Sequence, residues 1–408
     1  MKKFLAILMV ALLSLSLCVN FVSCSEEEGT GTPAAAGDDI KVGFIFLHDE
    51  NSTYDKNFID AAKAVQKKLG LKDDQVIMVT GIPEGAECYE AAKSLVADGC
   101  DVIFADSFGH EDYMIRAAKE FPNVQFCHAT GTKAHTEGLA NFHNAFASIY
   151  EGRYLAGIAA GMKLNEMIAA GKFTAEEAQI GYVGAFPYAE VKSGYTSFFL
   201  GVRSVCPTAT MEVQFTDSWY DEAKERETAN ALISNGAKLI SQHADSMGAP
   251  SACEEAGIPN VSYNGTTINA CPNTYIISSR IDWAPYFELM INSVKEGKAI
   301  PTDWCGGIKE GSVKLTDLNT AVAAAGTQEA IDAAKAQFEA GTLKVFATEN
   351  FTVEGAALTE DYMADVDTDA NYEADTKVVS DGYFHESEYR SAPYFAINID
   401  GITLLNGF

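Results

Sequence analysis

Basic residues are scarce in this chain: 29 Lys and Arg stand against 57 Asp and Glu, a net charge of −28 over 408 residues. So acidic a surface argues against nucleic acid as a partner, because phosphates need clustered Lys and Arg. It also disfavours strongly anionic small ligands. Paired cysteine motifs are missing as well. The nine cysteines include no CxxC, so neither a zinc site nor a full disulfide framework is expected. Seven of them follow Cys18 and Cys24, and isolated buried thiols are the expectation, with Cys253–Cys271 left open as a pair. Enzyme signatures are lacking too: there is no GxxxxGK[ST], no GxSxG, no GxGxxG after a strand and no HExxH. His110-Glu111 has Met114 where a second histidine would stand. Asp365-Val-Asp-Thr-Asp opens like a calcium loop, but Ala370 replaces the required Gly and Thr376 the bidentate Glu. An acidic solvated loop is the expectation, and no catalytic residue, cofactor or metal is called for.

Long apolar runs are confined to the start. Lys2 and Lys3 precede the run Phe4 to Leu17, too short to span a bilayer and laid out like a signal peptide. It ends in Phe21-Val22-Ser23-Cys24, which resembles a bacterial lipoprotein signal with Cys24 as the lipidated new N-terminus. A plain secretory signal with an incidental cysteine is the other reading. Residues 24–39, acidic, small and turn-rich, read as a flexible tether after a signal at 1–23.

What is present is a regular alternation. Continuous apolar strands (Ile40–Leu47, Gln75–Thr80, Asp101–Ala105, Val124–His128) alternate with helical patterns (Tyr54–Leu69, Glu84–Ala97, Glu111–Phe121). After a long helix at Ile149–Ile168 the series repeats with strands Gln179–Ala185, Thr210–Phe215, Lys238–His243 and Asn260–Tyr263. Such strands indicate parallel sheets covered on both faces by helices, an α/β fold in two lobes with a hinged cleft. The lobes are expected at 40–147 with 284–346 and at 148–283, leaving 347–408 as an acidic, Tyr-rich extension without an assigned role. An Ala-rich helix is expected over 321–340.

Ligands of open parallel sheets bind beyond the carboxyl ends of the strands. Those ends carry Asn51-Ser52-Thr53-Tyr54, Ser107-Phe108-Gly109, Phe186-Pro187, Asp217-Ser218-Trp219-Tyr220, His243-Ala244-Asp245-Ser246 and Tyr263-Asn264-Gly265, with Asp282-Trp283 on the return segment. Aromatic rings there can sandwich a planar heterocycle, at ~1–3 kcal/mol per stack. Asp245 or Asn264 can pair with ring N–H and exocyclic groups. No Arg or Lys stands at these ends, as a phosphate or carboxylate ligand would require. The structural readings stand beside these: core packing for any single ring, a cap on the following helix for Asp245, strand-end structure for His243, and capping for Asp217 and Ser218.

Four stretches carry a family resemblance: SFGHEDYMIRAAKEFPNVQFCHATG (107–131), IYEGRYLAGIAAGM (149–162), IGYVGAFPYAEVKSGYTSFFLGVRSVCP (180–207) and DSWYDEAKERETANALISNGAKLISQHADS (217–246). Over roughly residues 40–346 the chain resembles the basic membrane protein family, substrate-binding lipoproteins of ABC transporters that include purine nucleoside receptors. It is most similar to the branch associated with free purine bases such as adenine. The resemblance implies a two-lobed type I periplasmic-binding fold that closes on its ligand and presents it to a membrane permease and its ATPase. By position it implies ligand contacts from Tyr54, Ser107, Phe108, Gly109, Phe186, Trp219, Asp245, Asn264, Asp282 and Trp283. Relatives often have Gly-Trp-Thr-Tyr where this chain has Asn51 to Tyr54, Thr in place of Ala244, and Asp in place of Asn264. The expectation is therefore a lipid-anchored envelope protein that is not an enzyme and captures a purine, most simply a free base. A nucleoside receptor, or a sugar or signal sensor of the same fold, is the alternative.

Overall fold

The computed structural model describes residues 35–369 and 371–407. The signal at 1–23, Cys18, Cys24 and most of the tether lie outside the described residues. The tether's last part belongs to the folded body: Ala36 N–H donates to Val294 O at 3.1 Å and Lys295 pairs with Asp38 at 3.2 Å. The body thus begins before the expected Ile40.

The first lobe alternates β1 (Val42–Ile45), α1 (Thr53–Leu69), β2 (Val76–Val79), α2 (Ala86–Ala97), β3 (Val102–Ala105), α3 (Glu111–Glu120), β4 (Gln125–Ala129), a one-turn α4 (Ala134–Glu137) and β5 (Phe142–Ala147). The second runs α5 (Ile149–Ala169), β6 (Gln179–Gly184), α6 (Ala189–Val205), β7 (Thr210–Phe215), α7 (Glu222–Ser234), β8 (Leu239–Gln242), α8 (Gly248–Ala256), β9 (Asn260–Tyr263) and β10 (Tyr275–Ile281). The chain then crosses back through α9 (Ala284–Glu296) and β11 (Asp303–Gly306), which pairs with β5. It recrosses to β12 (Val313–Leu315) and α10 (Thr327–Glu339).

The sheet orders are β11-β5-β4-β3-β1-β2 and β12-β10-β9-β8-β6-β7, the latter extended at its β7 edge by the strand Ile402–Leu404. Every pairing is parallel except β10 with β12. Strands such as Val102–Ala105 are buried at every position, which is why their sequences are apolar throughout instead of alternating. In both sheets the order reverses at the first strand of the lobe, between β1 and β3 and between β6 and β8. These switch points open crevices at the strands' carboxyl ends. The α/β, two-lobed type I periplasmic-binding fold is as expected from sequence.

Two boundaries differ from expectation. Residues 313–339 belong with the second sheet and its helix α5, not with the first lobe, because β12 pairs with β10. The Ala-rich helix starts at Thr327, since Gly326 has a φ of 79°, a left-handed geometry that does not continue a helix. The extension from 347 onward is packed, not loose. Phe351, Phe384, Phe395 and Ile399 join the second lobe's core. The Ser391 N–H and Oγ donate to Asp303 of β11 at 2.9 and 2.7 Å. The cysteines among the described residues are free thiols, so Cys253 and Cys271 do not pair.

Close packing of α5 on α6 sets the second lobe's frame. A Cβ on Gly201 would lie 2.1 Å from Tyr154 O, and one on Gly157 2.1 Å from Phe198 O. Only glycine lets these two backbones approach so closely.

Candidate functional site

The crevices of the two lobes face each other, and hydrogen bonds join them. Thr53 N–H and Oγ of α1 donate to Asp245 O at 3.3 and 3.1 Å. Asn57 Nδ2 donates to Asn264 O at 2.6 Å. Asn264 presents that carbonyl from a left-handed backbone (φ 64°), which Asn tolerates better than other non-glycine residues. Between the lobes lies a slot with a cavity volume of about 20 Å³. Small-molecule sites span roughly 300–1,000 Å³, so this one is small and narrow.

The first lobe lines it with His48, Tyr54 and Asp55 after β1, Ser107 and Phe108 after β3, and Thr130 after β4. Thr130 holds a φ of 66°, costly for a β-branched residue and a kind of strain that concentrates at functional sites. Ser52 caps α1, accepting from Asp55 N–H at 3.2 Å while its hydroxyl donates to Asp55 Oδ2 at 2.6 Å. Burial opposes ionisation of Asp55, but hydrogen bonds from His48 and Ser52 together outweigh it and hold the carboxyl below its usual range. Asp106 behind it behaves oppositely: burial, then the charge of Asp55, push its carboxyl well above the usual range. Its Oδ2 has no hydrogen-bond partner among the described residues. Tyr54 OH donates to Asp106 O at 2.7 Å, which fixes the Tyr54 ring.

The second lobe contributes Glu190, Trp219, His243, Asp245 and Asn264. Burial raises the Asp245 carboxyl well above its usual range, against the hydrogen bond from Asn264 Nδ2 to its Oδ1 at 2.9 Å. Burial likewise lowers the His243 imidazole, against its contact with Glu190 at 3.4 Å. Neutral His243 donates from Nε2 toward Glu190, leaving Nδ1 as an acceptor. Two buried acceptors, His243 Nδ1 and Asn264 Oδ1, have no partner among the described residues. Such atoms are costly unless a ligand supplies N–H or O–H donors.

Six of the ten expected ligand contacts thus meet at one cavity: Tyr54, Ser107, Phe108, Trp219, Asp245 and Asn264. Four do not line it. Gly109 serves the loop: its N–H donates to Glu84 Oε1 at 2.8 Å, and a Cβ there would sit 2.7 Å from that side chain. Trp283, 1% exposed, turns into the first lobe's core and stacks on Phe58 at 4.4 Å. Asp282 turns outward to pair with Lys314. Phe186 stands one layer back, parallel to Tyr188 at 5.1 Å and edge-on to Trp219 at 4.9 Å.

Sequence reasoning missed His48, Asp55, Thr130, Glu190 and Tyr188, and set His243 aside as structural. The Pro187 turn carried the only signal for Tyr188, an aromatic next to an expected shelf. Behind the slot, in the second turn of α5, stands Arg153. It is fully buried, with its guanidinium 4.5 Å above the Tyr263 ring and Nη2 donating to Gln242 O at 3.3 Å.

No helix among the described residues is long and apolar enough to cross a membrane. A family model described as ABC transporter substrate-binding protein PnrA-like matches residues 45–342. The chain is 33% identical over 288 residues to a purine-binding protein of Brucella abortus, covering 70% of this chain and 77% of that one. It is 36% identical over 217 residues to a Haloferax volcanii protein named as a candidate ABC transporter glucose-binding protein, covering 53% and 52%. A nucleoside-binding protein of Lactococcus lactis is 23% identical, covering 60% and 66%. The solved structure of an ABC solute-binding protein from Aeropyrum pernix superposes with a TM-score of 0.62 at 17% identity, covering 75% of this chain and 93% of that one, a likeness of fold. The chain belongs to the PnrA-like family of ABC transporter substrate-binding proteins.

Proposed function

We propose that this protein captures a free purine base in the interlobe slot and delivers it to the permease and ATPase of an ABC importer. One observation carries the reading: Asn264, whose Oδ1 is buried without a partner among the described residues, lines a narrow slot together with Asp245, Tyr54, Phe108 and Trp219. Aromatic faces suit a flat ring once the lobes part to admit it, and the N–H groups along a purine's edge suit such an acceptor. Burial raises the Asp245 carboxyl above its usual range, which favours the form that can donate to a ring nitrogen. The name of the Brucella relative supports the same class. Asp55 and Glu190 line the slot while no Lys or Arg does, which disfavours anionic purines and nucleotides. The protein acts as a carrier without catalysis, held at the outer face of the membrane by a lipid on Cys24.

Calorimetric titration with adenine, guanine, hypoxanthine, their nucleosides and glucose tests this. Saturable binding of a purine base is expected. Binding of glucose with no response to any purine sinks the reading and favours the class named for the Haloferax relative. For the anchor, Cys24→Ala releases the protein from the membrane fraction, and an unchanged membrane fraction removes that assignment.

A further inference from the structure

The rings at the mouth of the slot have a role that the polar floor does not fill. Phe108 follows β3 in one lobe and Tyr188 follows β6 in the other, so their contact at 5.2 Å crosses the cleft. Tyr188 is also stacked parallel on Phe186 at 5.1 Å and 11°, and lies 6.0 Å from Trp219. Phe108 and Trp219 line the slot, whereas Tyr188 does not. Its ring bridges those two from the outside. Both partners of the contact keep a large exposed face, 37% for Phe108 and 41% for Tyr188, so neither is there to fill a core. The Tyr188 hydroxyl makes no hydrogen bond among the described residues, so its ring, not its polar tip, makes the contact.

We propose that Tyr188 and Phe108 are specificity-determining residues: they close over a free purine base and reject the same base carrying a ribose. The inference rests on the purine reading above and adds the element that selects within that class. Tyr188 stands outside the slot that Phe108 and Trp219 line, so whatever projects from the ligand past Phe108 meets the Tyr188 ring. A bare base ends there as a flat edge, and the collar closes on it. A ribose at that end is non-planar and carries hydroxyls for which the rings offer no partner, and buried hydroxyls without partners are costly. It also wedges Phe108 from Tyr188, so the contact that forms on closure is lost. A ribose turned toward the floor instead displaces the N–H donors that the floor requires. Rejection thus comes from an obstacle, one of the two routes to specificity.

The experiment titrates adenine and adenosine into wild type, Tyr188→Ala, Phe108→Ala and Tyr188→Phe. Wild type is expected to favour adenine by at least about tenfold, the cost of burying one unpartnered hydroxyl. Each alanine variant should weaken adenine by about 2- to 12-fold, the equilibrium equivalent of one aromatic pair, while adenosine holds or gains. The preference therefore shrinks from either side of the cleft, and Tyr188→Phe restores it. Melting curves serve as the fold control, and the two alanine sites lie on different lobes, so one misfolded variant does not decide the matter. Equal wild-type affinity for base and nucleoside overturns the proposal while the purine reading stands. So does a preference that survives both alanine substitutions. No purine binding at all removes both.

Discussion

Asn57 offers a way to change closure from a side chain outside the slot lining. It lies on α1, buried and outside the cavity lining, and its Nδ2 donates across the cleft to Asn264 O at 2.6 Å. That carbonyl is itself buried, and the bond exists only with the lobes together. In Asn57→Ala the closed form keeps a buried acceptor without its donor, a cost of about 1–3 kcal/mol. An open form has water at the same carbonyl and bears almost none of it. The closing equilibrium therefore shifts by roughly 5- to 150-fold, at tenfold per 1.4 kcal/mol. A ligand held by both lobes has an apparent affinity scaled by the fraction of protein able to close. In a mostly open unliganded protein the full factor passes to the dissociation constant. Calorimetry with the best-binding purine reads the affinity, and small-angle scattering with and without ligand reads closure. Thermal unfolding of the unliganded protein should move little. Wild-type affinity and compaction in a folded Asn57→Ala protein would refute the claim that this bond belongs to closure.

Other outcomes follow from the packing and the buried charges. Gly201→Ala puts a Cβ 2.1 Å from Tyr154 O, and forcing α5 from α6 should cost about 1–3 kcal/mol in a denaturant titration. Burial pushes the Glu386 carboxyl up to about 7 from the usual 4.5. Between those values the unfolded chain releases a proton that the fold retains, so stability falls as pH rises through about 4.5–7 and levels off above. Glu386→Gln should therefore melt like wild type near pH 4.5 and higher at pH 8, by at most about 3 kcal/mol; a gain independent of pH contradicts this. Asp303→Ala removes the acceptor of both Ser391 donors and should speed proteolysis within residues 347–407 while leaving purine affinity intact, read by timed digestion.

Most of the architecture was legible because it is written in local patterns. Apolar runs such as Val102–Ala105 mark strands buried on both faces, and the helical spacing of 54–69 marks the helix between them. Charge composition alone argued against nucleic acid. The rule that ligands meet the carboxyl ends of strands pointed to loops that do converge, and six of the ten named side chains line the slot. Partner choice was not legible. The assignment of 313–339 to the second sheet depends on β12 pairing with β10, a contact that no local pattern encodes.

Side-chain direction at a strand end was decided by packing alone. Asp282 and Trp283 are adjacent on the return segment, yet one reaches Lys314 at the surface and the other lies stacked on Phe58, since the start of α9 sends them opposite ways. Phe186 and Tyr188 flank one proline, and only the turn's three-dimensional course sets the first behind the second. The same holds for the charges. Sequence gives Asp55, Asp106 and Asp245 one ordinary acidity, but burial raises two of them while the hydrogen bonds of Ser52 and His48 lower the third. Sequence by itself determined the elements, their alternation and the loops that meet, because these follow from short-range periodicity and composition. Tertiary structure alone decided which faces those loops show to a ligand, because that depends on contacts between residues far apart in the chain.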